Sequence, residues 1–333
     1  MPVAIIVAVL LLLAAEGVVR AGAHKLPRIN QWGDWEVANK VAAIDQLAKK
    51  GGASVVVTGS SDINAGVDPL LLSLRLGGTR PVFNAALDGA GARTLNFWMT
   101  NIVVPRLHPD VVVIGLTSRD LNDLGSAANQ IWDLVRFSPA SIRAFGGGSL
   151  ASRLDAELSN VSYLARYRNV LRHPFSTIGK KDKAELQQSV TLLGRPKRMR
   201  YLSKIVYSGI TPDFLRRVAP MSFTKFSIGG GELTGLRRMI ATLQQRKIKV
   251  VLVKMPIIPV LISIHPHGIA DYDAFGRALA SVVDSTGVRF FDATPYFKNP
   301  AEFRDPYHLN DAGVARFTPL LDDLVRGTSP PSP

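Results

Sequence analysis

Two short stretches of this 333-residue chain hold residue types that together can activate a hydroxyl for attack on an ester. In the first, the apolar run Ser54 to Thr58 (SVVVT) leads into Gly59-Ser60-Ser61. A strand ending in a glycine-serine turn places a hydroxyl at the open edge of a sheet, where backbone N–H groups can face a developing oxyanion. Alone, a serine in such a turn is ordinarily a cap or turn former. In the second stretch, Phe303 to Gly313 (FRDPYHLNDAG), Asp305 and His308 stand three residues apart on a proline-containing turn. That spacing lets the carboxylate orient one imidazole nitrogen while the other faces a nucleophile, the arrangement that serine activation requires. Alone, His308 would be a residue packed beside the helix that follows.

The elements that must position these groups are written in the hydrophobic pattern. Further apolar runs fall at Pro81 to Asn84, Val111 to Leu116, Lys249 to Met255 and Val288 to Asp292. Helical patterns occupy 36–50, 235–246, 272–285 and 312–325. Alternating strands and helices predict a parallel sheet covered on both faces, with ligands at the carboxyl ends of its strands. The polar clusters after the first and third runs, Gly59-Ser60-Ser61 and Thr117-Ser118-Arg119-Asp120, fall at that edge.

Composition narrows the setting. With 47% hydrophobic and 20% charged residues the chain can bury a large core. It has no cysteine, which excludes disulfides, thiolate metal sites and a cysteine nucleophile. Residues 2–15 (PVAIIVAVLLLLAA) are all apolar or proline, Glu16 interrupts, and Arg20 ends the run after Gly17-Val18-Val19. Such a segment, here taken as 1–23, reads as an export signal with Ala21-Gly22-Ala23 as cleavage site, or as an uncleaved anchor, which we favour. A linker and first helix are expected over 24–50, the main domain over 51–326 and a disordered tail over 327–333. The alternation breaks over about 125–230, where a basic, mostly helical insertion is expected. Residues 141–217 alone carry 15 Lys and Arg against 5 Asp and Glu, a net +10 of the chain's +14.

In this order the segments resemble the SGNH/GDSL hydrolase superfamily, over roughly 50–125 and 230–325. The resemblance implies a flavodoxin-like three-layer α/β/α sandwich built on a parallel sheet. It implies Ser61 as nucleophile, with Ser60 in the place of the family's usual aspartate, His308 as general base and Asp305 as its orienting carboxylate. Gly89, in VFNAALDGAG, matches the family's second-block glycine, whose N–H joins that of Ser61 in the oxyanion hole. The third block departs: where the family has an asparagine, alignment puts Arg119, which can hold an oxyanion or form an ion pair with Asp120. Asn122 reaches the hole only if that turn is rearranged. Asn84, Asp120 and Asn310 adjoin these blocks and are expected to contact substrate. The glycine-serine-serine block and the DxxHLN ending resemble the exported, membrane-associated branch that includes teichoic acid D-alanylation and alginate O-acetylation proteins.

The expectation is therefore an exported or membrane-anchored serine esterase or acyltransferase of the cell envelope, acting on an acylated surface polysaccharide, wall polymer or lipid. No cofactor is expected. His265-Pro266-His267 with Asp271 and Asp273 has the types for a metal, but His-x-His in a loop reads as a solvent-facing turn and no metal is assigned. The basic insertion suits an anionic membrane surface or a membrane-bound acyltransferase partner, and export argues against nucleic acid. The alternative is a non-catalytic accessory of such an acyltransferase, binding an acidic glycan or partner. A cytoplasmic lipase-like enzyme would require the N-terminal apolar run to be core.

Overall fold

The computed structural model describes residues 2–177, 183–223 and 225–332. The basic-stretch residues Lys180, Lys181 and Asp182, and Pro333 of the tail, lie outside the described residues. The chain forms two compact units, Met1–Ala38 with Leu134–Gln187, and Asn39–Asp133 with Gln188–Pro333.

The second unit holds a five-stranded, wholly parallel sheet in the order β2-β1-β3-β4-β5. Its strands are β1 (Val55–Gly59), β2 (Val82–Asn84), β3 (Val111–Leu116), β4 (Lys249–Lys254) and β5 (Arg289–Asp292). Valine-rich runs form them because β-branched side chains suit a pleated surface buried on both faces. On one face Val55, Val57, Val111, Val113, Val251 and Val253 pack with Val314, Phe317, Leu320 and Leu321 of helix Asp311–Arg326. The alternate positions Val56, Val112 and Leu252 point to the other face and are fully buried. Helices Ala92–Trp98 and Gly231–Gln245 pack there. Burying each such valine or leucine contributes roughly 1.5–3 kcal/mol. Gly235 lets the two helices cross closely, since a Cβ at this position would lie 2.6 Å from the Arg93 Cα. The fold is the flavodoxin-like α/β/α sandwich expected, with strand ends shifted by a residue or so.

The first unit is helical. Helix Pro2–Gly22 is apolar and exposed, and Val3–Lys25 is long and apolar enough to cross a membrane. Helices Pro139–Phe145, Leu150–Val161 and Tyr163–Arg172 follow, each opened by a serine (Ser138, Ser149, Ser162) whose side chain accepts an N–H of the first turn. The stretch about 125–230 thus divides: its residues 134–187 belong to this unit, and 125–133 and 188–230 to the unit with the sheet.

Candidate active site

The site forms where β1, β3 and the segment before the last helix reach the carboxyl edge of the sheet. At the end of β1 the chain turns into helix Ser61–Gly66. A Cβ on Gly59 would sit 2.3 Å from the Gly115 carbonyl oxygen and 2.8 Å from Ile63 Cγ1, so the turn admits only glycine. Ser61 is the first helical residue, and its N–H has no acceptor within the helix.

The DxxH segment is bracketed by its own aspartate. Asp305 Oδ1 accepts the N–H groups of Tyr307 and His308 at 3.2 and 3.0 Å, and Oδ2 receives His308 Nδ1 at 2.6 Å. His308 Nε2 lies 2.8 Å from Ser61 Oγ. With Nδ1–H donated to the carboxylate, Nε2 is the acceptor for the serine proton. Burial by itself would raise Asp305, but the adjoining His308, its hydrogen bond, and Arg304 outweigh it and bring the carboxyl down to about 2. Asp305 is therefore an anion throughout the neutral range.

Arg119 comes from the third-block turn, residues Ser118–Leu121, which Thr117 and Asp120 close as a capping box. Its guanidinium donates to Ser61 Oγ, to Ser60 Oγ at 3.0 Å and to the Tyr307 hydroxyl at 3.2 Å. It also lies over the Tyr307 ring, 4.7 Å from the centroid. Burial opposes its charge, yet Tyr307, Asp62 and Asp120 keep its pKa raised. Asp120 stands 3.4 Å from the Arg119 Nε, and burial pushes its carboxyl up to about 7 against the pull of that guanidinium. Gly89 adopts φ +74° and lines one small cavity with Arg119, Asp120 and Gly125.

Several sequence expectations change here. Asn84 does not face a substrate: it is fully buried, donating to the Ile63 and Val67 carbonyls and accepting from Ala86 N–H. Asn310 likewise caps helix Asp311–Arg326 and donates to the Ala301 and Phe303 carbonyls. Asp120 accepts the N–H and hydroxyl of Thr117, so it braces the turn that carries Arg119. Asn122 is held by Ser222 and Lys225 and does not reach the hole. His265 is no solvent-facing turn residue but a buried one, with Nε2 2.8 Å from Ser118 Oγ and Nδ1 on the Leu261 carbonyl. His267 is open to solvent and pairs with Asp271.

Two residues beside the site escaped the sequence reading. Asp62 is fully buried, with Oδ2 accepting from Ser60 and Thr117. Its Oδ1 has no hydrogen-bond partner among the described residues and lies 4.0 Å from His308 Nε2. Tyr307 stacks beside His308, ring centroids 4.2 Å apart. Both adjoin a candidate site residue, Asp62 directly after Ser61 and Tyr307 directly before His308, and that adjacency was the signal available.

A serine after β1 and an Asp-x-x-His ahead of the last helix, on a sheet of order β2-β1-β3-β4-β5, are the layout that resemblance to the SGNH hydrolases implies. A protein-family model matches residues 214–329, the stretch that holds β4, β5, Asp305 and His308. No curated protein matches the sequence. The structure is similar to a GDSL-like lipase from Bacteroides thetaiotaomicron at 11% identity and a TM-score of 0.42, over 89% of this chain and 98% of that one. It is also similar to an acetylxylan esterase from Geobacillus stearothermophilus at 12% identity and 0.39, over 81% and 94% of the two chains. A third similar structure is an aryl esterase of M. smegmatis, at 14% identity and 0.38, over 83% and 99%.

Proposed function

We propose that the protein is a serine esterase or acyltransferase of SGNH type, anchored at the cell envelope and acting on acyl esters of a surface polysaccharide, wall polymer or lipid. The observation that carries this reading is the chain Ser61 Oγ, His308 Nε2, His308 Nδ1, Asp305 Oδ2, continuous at 2.8 and 2.6 Å. His308 takes the Ser61 proton as Oγ attacks the acyl carbon, and Asp305 holds the imidazole in the receptive tautomer and stabilises the imidazolium. The N–H groups of Ser61 and Gly89 and the Arg119 guanidinium receive the oxyanion. His308 then delivers the proton to the departing alcohol, leaving an acyl-serine. Water or a sugar hydroxyl, deprotonated by His308, attacks the acyl-serine; the bond to Ser61 Oγ breaks, His308 returns the proton to Oγ, and the product leaves.

One observation favours the accessory reading instead: the Arg119 guanidinium is engaged on Ser61 Oγ. Kinetics on a small activated acyl ester separate the two. On the enzyme reading, Ser61→Ala and His308→Ala each lower kcat/KM by about 10⁴-fold or more, and the double variant is no worse than either, because the residues act as a unit. A folded wild type that turns the ester over no faster than buffer, indistinguishable from Ser61→Ala, would move the assignment to the accessory protein.

A further inference from the structure

Helix Leu150–Val161 turns large apolar side chains to solvent. Leu150, Leu154, Leu158 and Val161 are 73, 62, 53 and 64% exposed, while Ala156 and Ser159 on the opposite side are buried. At 3.6 residues per turn the four exposed residues fall within one sector of about 80°. A continuous apolar stripe of this kind marks a surface for contact with another molecule or a membrane.

The position of the helix says what covers the stripe. The N-terminal helix Pro2–Gly22 is clasped to its end. The Glu16 carboxylate accepts the N–H groups of Tyr163 and Leu164 at 2.8 and 2.9 Å and the Ser162 hydroxyl at 2.9 Å. Arg20 pairs with Glu16 at 3.0 Å, donates to the Val161 carbonyl at 2.9 Å and lies 4.6 Å from the Tyr163 ring centroid. Glu16 thus caps helix Tyr163–Arg172 from another part of the chain, satisfying N–H groups that the helix itself cannot. The clasp also fixes a level. Residues 161–164 lie beside Glu16 and Arg20, where the unbroken apolar run through Ala15 ends. For an anchoring helix, that is the boundary between hydrocarbon and headgroups. The sequence from 134 to 187 adds nine Lys and Arg against four Asp and Glu, the sign that an anionic lipid surface attracts.

We propose that helix Leu150–Val161 lies in the membrane interface, with its Leu150, Leu154, Leu158 and Val161 face among the lipids, held there by the clasp of Glu16 and Arg20 on residues 161–164. This rests on the anchor reading of the N-terminal helix and is independent of the chemistry at Ser61.

The absence of cysteine makes the test direct. Full-length Leu154→Cys and Asn160→Cys variants, each labelled with an environment-sensitive fluorophore, are reconstituted into phosphatidylcholine–phosphatidylglycerol vesicles. Position 154 should be quenched by lipid-borne nitroxide about threefold more than position 160, and protected from aqueous iodide. Adding Glu16→Gln should shift position 154 toward the aqueous quencher while the circular dichroism spectrum and the cooperative thermal unfolding of the protein persist, which shows that the fold survives. Iodide access at position 154 equal to that at 160 would overturn the proposal. So would protection from both quenchers, because a protein partner then covers the face.

Discussion

Two serine–histidine pairs stand at the carboxyl edge of the same sheet, and only the Ser61–His308 pair has a carboxylate hydrogen-bonded to its imidazole. Ser61 follows β1 and meets His308; Ser118 follows β3 and meets His265; both pairs are 2.8 Å apart. The difference lies on the far nitrogen. His308 leans on the Asp305 carboxylate, whereas His265 leans on the Leu261 carbonyl and sits between Phe223 and Phe226, ring centroids 4.8 and 5.0 Å away. Burial lowers the His265 pKa, outweighing the Leu261 and Ile262 backbone groups and the charge of Asp271, which pull the other way. A carbonyl can fix a tautomer; it takes an anion to stabilise the imidazolium that forms when serine gives up its proton. The Arg119 guanidinium, which can hold the resulting negative charge, is on Ser61.

The sharpest way to break this contrast is to exchange the histidines' fates. His308→Ala should abolish ester hydrolysis by about 10⁴-fold or more, while Ser118→Ala changes it by no more than about twofold. Loss of activity in a folded Ser118→Ala protein would erase the distinction. Next in size is Asp305→Asn, which keeps the shape but removes the charge: kcat should fall by roughly 10²–10⁴ with KM little changed. A near-normal kcat would mean that Asp305 only positions its turn.

Arg119→Lys tests the third block. A lysine keeps the charge but not the fork that reaches Ser60, Ser61 and Tyr307 together, and we expect a loss of about 10–10² in kcat. A gain in activity would instead cast Arg119 as a block on Ser61. The smallest effect is on stability. The Asp305 carboxyl is held at about 2 in the folded chain against about 3.9 unfolded. Its contribution is complete above roughly pH 4 and is lost as pH falls through the interval toward 2. Denaturant titrations of wild type and Asp305→Asn should converge across that interval and stay parallel above it.

What the sequence made legible was whatever local pattern encodes. Five apolar runs became five strands because valine and isoleucine in short blocks have few other places to go. Ser61, Asp305 and His308 stood out because a turn glycine and a three-residue spacing carry geometry of their own. Asn84 and Asn310 misled because a polar residue near a motif looks available until the backbone groups it must satisfy are known. His265 misled for a related reason: Phe223 and Phe226, about forty residues upstream, bury it, and no local window contains that fact. Asp62 was hidden by its position next to Ser61, where its placement depends on Thr117 from the neighbouring strand's end.

The most direct measurement is to treat the full-length protein with a fluorophosphonate probe and map the adduct by peptide mass spectrometry in wild type, Ser60→Ala, Ser61→Ala and Ser118→Ala. A single adduct is expected on Ser61, absent only from Ser61→Ala. An adduct on Ser60 or Ser118, or none at all on a folded wild-type chain, would contradict it.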